Sequence, residues 1–340
     1  MTSSTLIHVG VIGAGRIGKV HAEHLACRIS NARLAAVSDI DRAAAKACAD
    51  RFHVTKVYSD AEPVLADSSI DAVAICSSTN THAPLIEAAA AAGKHIFCEK
   101  PVDFDLERID RCLRAVDKAG VKFQVGFNRR FDPNFWEVRR KITEGRVGDV
   151  QIVRITSRDP APPPIDYIRV SGGMFLDMTI HDFDMARYLV DSEVETVYAA
   201  GGVLVDPAIG QAGDIDTALI TLHFANGALA SIDNCRRAVY GYDQRVEVFG
   251  SKGMVRAENN TPTRTQLCDE AGIHSPLPLH FFMDRYIDSY VMEMKLFIEA
   301  IVNDTPPPVS GLDGLAPVVI GLAAKRSLAE NRPVNVAEIR

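Results

Sequence analysis

The chain has 340 residues, of which 47% are apolar and 24% charged, and it carries a formal net charge of −7. One hydrophobic core rarely serves that length, so two domains are expected. The acidic balance, without any dense Lys/Arg block, disfavours nucleic acid and anionic membrane surfaces and leaves small solutes as the expected partners.

Met1 to Thr5 is short and polar and leads straight into a strand-like run, with no room for a secretory signal, so a cytoplasmic protein is expected. Seven cysteines (Cys27, Cys48, Cys76, Cys98, Cys112, Cys235, Cys268) are scattered without CxxC spacing, which suggests neither a disulfide framework nor a zinc site. No metal is expected. No apolar run reaches the roughly 18 to 20 residues of a membrane span.

Ile7 to Ile12 reads as a strand, followed at once by Gly13-Ala14-Gly15-Arg16-Ile17-Gly18 and a helical pattern through Cys27. Strand, glycine turn and helix together are the context that gives this motif meaning. Gly13 allows the tight turn, Gly15 lets the backbone approach a pyrophosphate, and Gly18 lets the helix pack closely on the strand. The free N–H groups of the helix start, at Arg16 and Ile17, then face the phosphates. A second strand, Leu34 to Ser38, ends in Asp39, where a carboxylate that accepts from ribose hydroxyls is expected. That carboxylate repels a 2′-phosphate, so the expected cofactor is NAD rather than NADP, although Arg42 lies nearby.

Helices and strands go on alternating: helix Arg42 to Arg51, strand Ala72 to Cys76, helix His82 to Ala92, strand His95 to Cys98, helix Leu106 to Ala119 and strand Lys122 to Val125. This rhythm predicts an α/β Rossmann domain, a parallel sheet wound on both faces, over residues 1–126. Ligands of such sheets lie beyond the carboxyl ends of the strands. Two polar segments fall there, and Ser77, Thr79, Asn80 and His82 in one, with Glu99 and Lys100 in the other, are the expected cofactor contacts. Lys100 is also suited to hold a substrate hydroxyl and stabilise oxyanion character as hydride departs. Its simpler reading is a surface lysine paired with Glu99.

After Gly126 the pattern changes. A helix from Phe135 to Glu144 precedes strands at Val150 to Ser157, Thr196 to Ala200, Thr217 to Phe224, Ala228 to Asn234, Arg245 to Phe249 and Met254 to Ala257, several joined by hairpin-like turns. An α+β domain with a large, mostly antiparallel sheet is expected over residues 127–340, serving substrate binding and oligomerisation. Thr217 to Phe224 is partly apolar on both faces, so one face needs helices and the other a further subunit. Phe281 to Ile301 and Leu315 to Ala329 read as long helices.

Within this half, Gly172-Gly173 opens a helical pattern in which Met178, Met185 and Leu189 share a buried face. Asp177, His181 and Asp184 fall at i, i+4 and i+7, stacking carboxylate, imidazole and carboxylate along another line. Taken alone, this is either a helix start whose Asp177 complements the dipole or proton-transfer equipment.

Jointly, Gly13 to Gly18, Glu99-Lys100-Pro101, Gly126-Phe127-Asn128-Arg129-Arg130-Phe131-Asp132 and the run Gly172 to Asp184 resemble the glucose–fructose oxidoreductase / inositol dehydrogenase / rhizopine-catabolism family of NAD(P)-dependent dehydrogenases. The resemblance covers essentially the full length. Val37-Ser38-Asp39, Arg129-Arg130 and Tyr240-Gly241-Tyr242-Asp243 look most like its inositol 2-dehydrogenases. It implies a catalytic set of Lys100, Asp177 and His181, with His181 as general base. It also implies substrate contacts at Lys100, Arg129, Asp159, Asp177, His181, Tyr242 and Tyr286, and a homotetramer.

The implied reaction is oxidation of a ring secondary alcohol, such as that of an inositol, to a ketone. Ser157-Arg158-Asp159-Pro160 departs from the histidine and asparagine expected of many myo-inositol enzymes, which keeps a pyranose or anhydrosugar open as substrate. A dinucleotide-binding regulator without catalysis is a further alternative, against which Lys100, Asp177 and His181 together argue.

Overall fold

The computed structural model describes residues 5–340, so of the polar N-terminal stretch only Thr5 is included. The chain forms two compact units. The first contains β1 (Ile7–Ile12), β2 (Ala32–Ser38), β3 (Lys56–Tyr58), β4 (Ala72–Ile75), β5 (His95–Glu99) and β6 (Phe123–Gly126) in the order β3-β2-β1-β4-β5-β6, every pair parallel. All four residues of β4 are buried, as a central strand covered by helices on both faces requires. The linking helices have local reasons to begin and end. Asp41 and Asp105 accept hydrogen bonds from backbone N–H groups as N-caps, and the Leu106–Ala119 helix stops at Gly120, which takes the left-handed conformation at φ 65°. The fold is the expected Rossmann arrangement; β3 and a short helix, Glu62–Ala66, carry too little pattern to be read from sequence.

The division of the chain differs from the expected single boundary after residue 126. Residues 288–316 return to the first unit, which otherwise ends at Phe131. The cause is apolar: Met294, Phe297 and Ile298 on the helix Ile287–Val302 join a core containing Val9, Ala22, Leu25 and Phe97. The expected long helix from Phe281 is also interrupted. Phe282–Arg285 ends at Tyr286, whose φ of −116° leaves the helical range, and the next helix starts at Ile287.

The second unit holds a seven-stranded sheet built from β7 (Val150–Arg158), β8 (Val194–Gly202), β9 (Thr217–Phe224), β10 (Leu229–Cys235), β11 (Asp243–Gly250), β12 (Gly253–Ala257) and, later in the chain, β15 (Val334–Asn335). A separate two-stranded hairpin pairs β13 (Leu267–Asp269) with β14 (Gly272–His274). The large sheet runs β12-β11-β7-β10-β9-β8-β15 and is antiparallel except where β7 and β10 pair in parallel. Along β9, Ala218, Ile220, Leu222 and Phe224 are buried while Leu219 is exposed, so alternation assigns one face to the core.

Phe297 is fully buried, with its ring centroid 6.0 Å from that of Phe97. Phe297→Ala should therefore cost about 3–5 kcal/mol and weaken NAD binding in parallel, as read by urea unfolding and cofactor titration. A cost within experimental error would show that residues 288–316 do not belong to the first unit's core.

Candidate active site

In the first unit the glycine turn is set by contact. Gly13 has φ +99°, and a Cβ there would lie 2.6 Å from the Cys76 carbonyl carbon; a Cβ on Gly18 would lie 1.9 Å from the Gly13 carbonyl oxygen. A Cβ on Gly15 would meet nothing within 4 Å, so its openness serves a ligand rather than the fold. No side chain caps the helix Arg16–Cys27 that starts there, which suits its N–H groups to a pyrophosphate. Asp39 accepts from the backbone N–H groups of Ala14 at 2.6 Å and Asp41 at 2.8 Å. The expected ribose acid thus sits beside the turn and braces it. These residues fit a dinucleotide.

Beyond β4, Ser77 Oγ lies 2.6 Å from Thr81 Oγ1, and residues Thr79–Thr81 form a 3-10 turn that keeps Thr79 and Asn80 at the surface or partly exposed. His82 is buried. Its Nδ1 lies 2.7 Å from the Pro101 carbonyl and its Nε2 3.0 Å from the Ser77 carbonyl, so one ring links the segments after β4 and β5. Burial pushes this imidazole below its usual pKa, partly offset by the two carbonyls and by Glu99 and Asp103. His82 therefore supports the cofactor segments from behind. Lys100 is partly exposed at the end of β5, and its bond to Pro101 is cis. Glu99 Oε1 lies 2.8 Å from His21 Nε2, an imidazole contact that the sequence did not reveal. Arg129 is buried in the 3-10 turn Asn128–Phe131, and its neighbour Arg130 pairs with Asp313 at 3.0 Å.

In the second unit the expected continuous helix is broken. Met174–Asp177 and Ile180–Val190 are separate helices, joined through Met178 and Thr179. Across the join the Thr179 N–H reaches back to Met174 O and the His181 N–H to Met178 O, a wide turn followed by a tight one. Asp177, His181 and Asp184 therefore do not stack along one regular face. Asp177 and His181 are partly exposed, whereas Asp184 is buried with the core side of its helix.

Asp177 Oδ1 accepts from the Tyr167 hydroxyl at 2.8 Å, and Asp177 Oδ2 lies 3.6 Å from Arg236 Nη1. Arg236 is 1% exposed and also reaches Asp214 at 3.2 Å. Asp214 in turn accepts from the Met174 N–H, at the start of the short helix. One guanidinium thus serves two carboxylates and fixes the turn carrying Asp177. Next to His181, buried Asp182 accepts from Asn234 Nδ2 at 2.9 Å, and Asn234 accepts from Thr179 Oγ1 at 2.6 Å. Tyr167, Arg236, Asp214 and Asn234 were not identified from sequence, since only the fold brings them to the turn.

Tyr242 and Tyr286 come together, both buried, with rings edge-to-face at 6.0 Å. Arg285 lies over the Tyr286 ring at 4.8 Å and makes an ion pair with Asp132. Ser157 is buried against Gln244, and Arg158 binds Asp233 and Tyr240, so the first two residues of the run Ser157 to Pro160 are committed to the sheet. Asp159 follows, partly exposed, with its backbone tied to Cys235 and Ala238.

Residues 7–127 match the model of an oxidoreductase family with an NAD-binding Rossmann fold, and residues 135–256 match the GFO/IDH/MocA C-terminal domain. The chain is 52% identical to a myo-inositol 2-dehydrogenase of Thermotoga maritima, covering 98% of this chain and 99% of that one. It is also 52% identical to an inositol 2-dehydrogenase of Rhizobium meliloti, covering 97% and 99%. A scyllo-inositol dehydrogenase of Lactobacillus casei, crystallised with NAD(H) and scyllo-inositol, superposes with a TM-score of 0.92 at 31% identity, over 98% of this chain and 100% of the other. With the glycine turn, Asp39 and the C-terminal sheet all in place, the chain belongs to the GFO/IDH/MocA family of NAD-dependent oxidoreductases.

Proposed function

We propose that the protein oxidises a ring secondary alcohol of an inositol to the corresponding ketone, the inosose, with NAD as hydride acceptor. The observation that carries this reading is the near-complete, 52% identical match to two inositol 2-dehydrogenases. NAD supplies the hydride-accepting nicotinamide. The protein's part is to orient the alcohol, remove its proton and hold the oxygen as charge develops.

His181 takes the hydroxyl proton, a role suited to an imidazole whose ordinary pKa of about 6.5 lies near working pH. Asp177, fixed by Tyr167 and Arg236, supports the imidazolium or accepts from a neighbouring hydroxyl. Lys100 donates to the reacting oxygen and favours its alkoxide character. Arg129, Asp159, Tyr242 and Tyr286 are assigned to the remaining hydroxyls, since a cyclitol presents a donor and acceptor at each carbon. Gly13, Gly15, Arg16, Ile17, Gly18 and Asp39 are assigned to the cofactor, with Ser77, Thr79, Asn80 and Glu99 beside them.

A homotetramer belongs to the same reading. Met254, Phe249, Ile152 and Leu229 lie in one register row across the adjacent strands β12, β11, β7 and β10, each 36–49% exposed. An apolar row of this kind calls for a covering surface, and a second copy of the sheet supplies one. Among the described residues no helix is long and apolar enough to cross a membrane, and the seven unpaired cysteines suit a reducing, cytoplasmic setting.

NADH formation with a panel of inositol isomers and pyranoses tests the substrate: an inositol should be turned over with the highest kcat/KM, and activity confined to pyranoses would overturn the reading. His181→Ala should lower kcat by about 10² to 10⁴ with NAD affinity unchanged; full activity would remove His181 from the role. Phe249→Lys should shift sedimentation toward smaller species, and an intact tetramer would place the contact elsewhere.

A further inference from the structure

Directly before Lys100, the first unit contains a buried polar group that the mechanism does not use. Glu293 lies on the returning helix Ile287–Val302, is fully buried, and neither of its carboxyl oxygens has a hydrogen-bond partner. His21 Nε2 lies 3.9 Å from Glu293 Oε1 and 2.8 Å from Glu99 Oε1, and His21 is itself fully buried. The three ligand-type atoms of His21, Glu99 and Glu293 all fall within 4.8 Å of one another. No lysine or arginine pairs with Glu293 among the described residues.

The helix Arg16–Cys27 brings His21 and, one turn on, His24, whose pKa is lowered to about 4 by burial first and by His21 next. β5 brings Glu99; the residue following β4 is Cys76, a buried thiol pushed upward by burial and by the nearby acids Glu99 and Glu293. β6 brings Gln124, whose Nε2 donates to the Glu293 backbone carbonyl at 2.9 Å. On its own helix, Tyr290 presents its ring edgewise to His21. Among these groups His21 alone brings a basic nitrogen within 4 Å of the Glu293 carboxyl, and it lies nearer Glu99, at 2.8 Å against 3.9 Å.

Two carboxylates this close, Glu293 fully buried and Glu99 only 12% exposed, and sharing one imidazole, cannot both be ionised without a large penalty. We propose that Glu293 is a neutral carboxylic acid in the working enzyme and a positioning residue for Lys100, acting through Glu99. Neutral Glu293 leaves Glu99 as the sole anion of the cluster, held by His21 at the end of β5. Ionised Glu293 would repel Glu99 and displace the peptide that leads into Lys100. The proposal rests on Lys100 serving the reaction as described above, but the protonation of Glu293 stands independently of substrate. Burial and the Glu99 charge both act to raise the Glu293 pKa well above its usual value.

The sign of the pH effect follows. A carboxyl whose pKa is raised by folding binds more protons in the native than in the unfolded state, so stability falls as pH rises from the unfolded pKa through the folded one. Glu293→Gln keeps the shape, carries no charge and escapes that loss. Its thermal midpoint should gain on the wild type as pH is raised from 5 to 9, by roughly 2–4 °C for each pH unit over which the two differ by one bound proton. At the alkaline pH where wild-type Glu293 ionises, the variant's kcat should exceed that of the wild type while its KM for inositol stays unchanged. In the wild type at pH 7, infrared difference spectra should contain a carboxylic-acid carbonyl band that Glu293→Gln removes.

A midpoint for Glu293→Gln that drops further below wild type as pH rises would overturn the proposal, because it would mean an ionised Glu293 held by His21 or by a cation. A stoichiometric divalent cation in the purified wild type that is absent from the variant would overturn it as well. Should the variant fail to fold, the infrared band of the wild type decides alone. Midpoints, infrared bands and NADH binding need no substrate, so failure to oxidise inositol would sink the functional reading without touching this one.

Discussion

The contact on which the rest of the cofactor end depends is the approach of Gly18 to the Gly13 carbonyl, where even a methyl group would lie 1.9 Å from oxygen. It lets the helix Arg16–Cys27 lie against β1 and brings its uncapped N-terminus to the carboxyl end of the sheet. Asp39 then closes the arrangement from the neighbouring strand by accepting from the Ala14 N–H. The carboxylate expected at the ribose is thus also a brace for the glycine turn, with one oxygen on the Ala14 N–H and the other on the Asp41 N–H.

Much of this was legible because its chemistry is local. Strand, turn and helix follow one another within the first 27 residues, and Gly13, Gly15, Gly18 and Asp39 each occupy a place that a short motif determines. The turn that carries Asp177 and His181 was legible in composition but not in shape. Met178 and Thr179 keep nearly helical dihedrals, φ −93° and −67°, so the apolar spacing continues through them although the hydrogen bonding changes. Periodicity records which side chains face the core; it is blind to a wide turn followed by a tight one. Asp184 consequently belongs to the core side, and Tyr167 and Arg236, brought in from other elements, contact Asp177.

The second unit shows the same limit at larger scale. Alternation located most of its long strands, because each has one face in the core. Their partners could not be read from it: the parallel pairing of β7 with β10 joins strands separated by β8 and β9. The apolar row Met254, Phe249, Ile152 and Leu229 exists only once that order is known, since each residue alone is an ordinary exposed hydrophobe. The return of residues 288–316 to the first unit is likewise invisible to a boundary drawn by composition. It follows from where Met294, Phe297 and Ile298 find apolar neighbours.

The two units treat buried acidity in opposite ways. In the second unit Asp177 and Asp214 share Arg236, a guanidinium that stays charged at any working pH and gives both carboxylates a fixed direction. Near Lys100, Glu99 and Glu293 have only an imidazole between them, and its capacity is exhausted by the first. Permanent pairing with a guanidinium suits a carboxylate that is held in one direction. A carboxyl that must not compete for the imidazole is served by deep burial, which keeps its proton in place. The choice between arginine and histidine as partner therefore sets which of the two acid pairs responds to pH, and the one that responds is the one directly preceding Lys100.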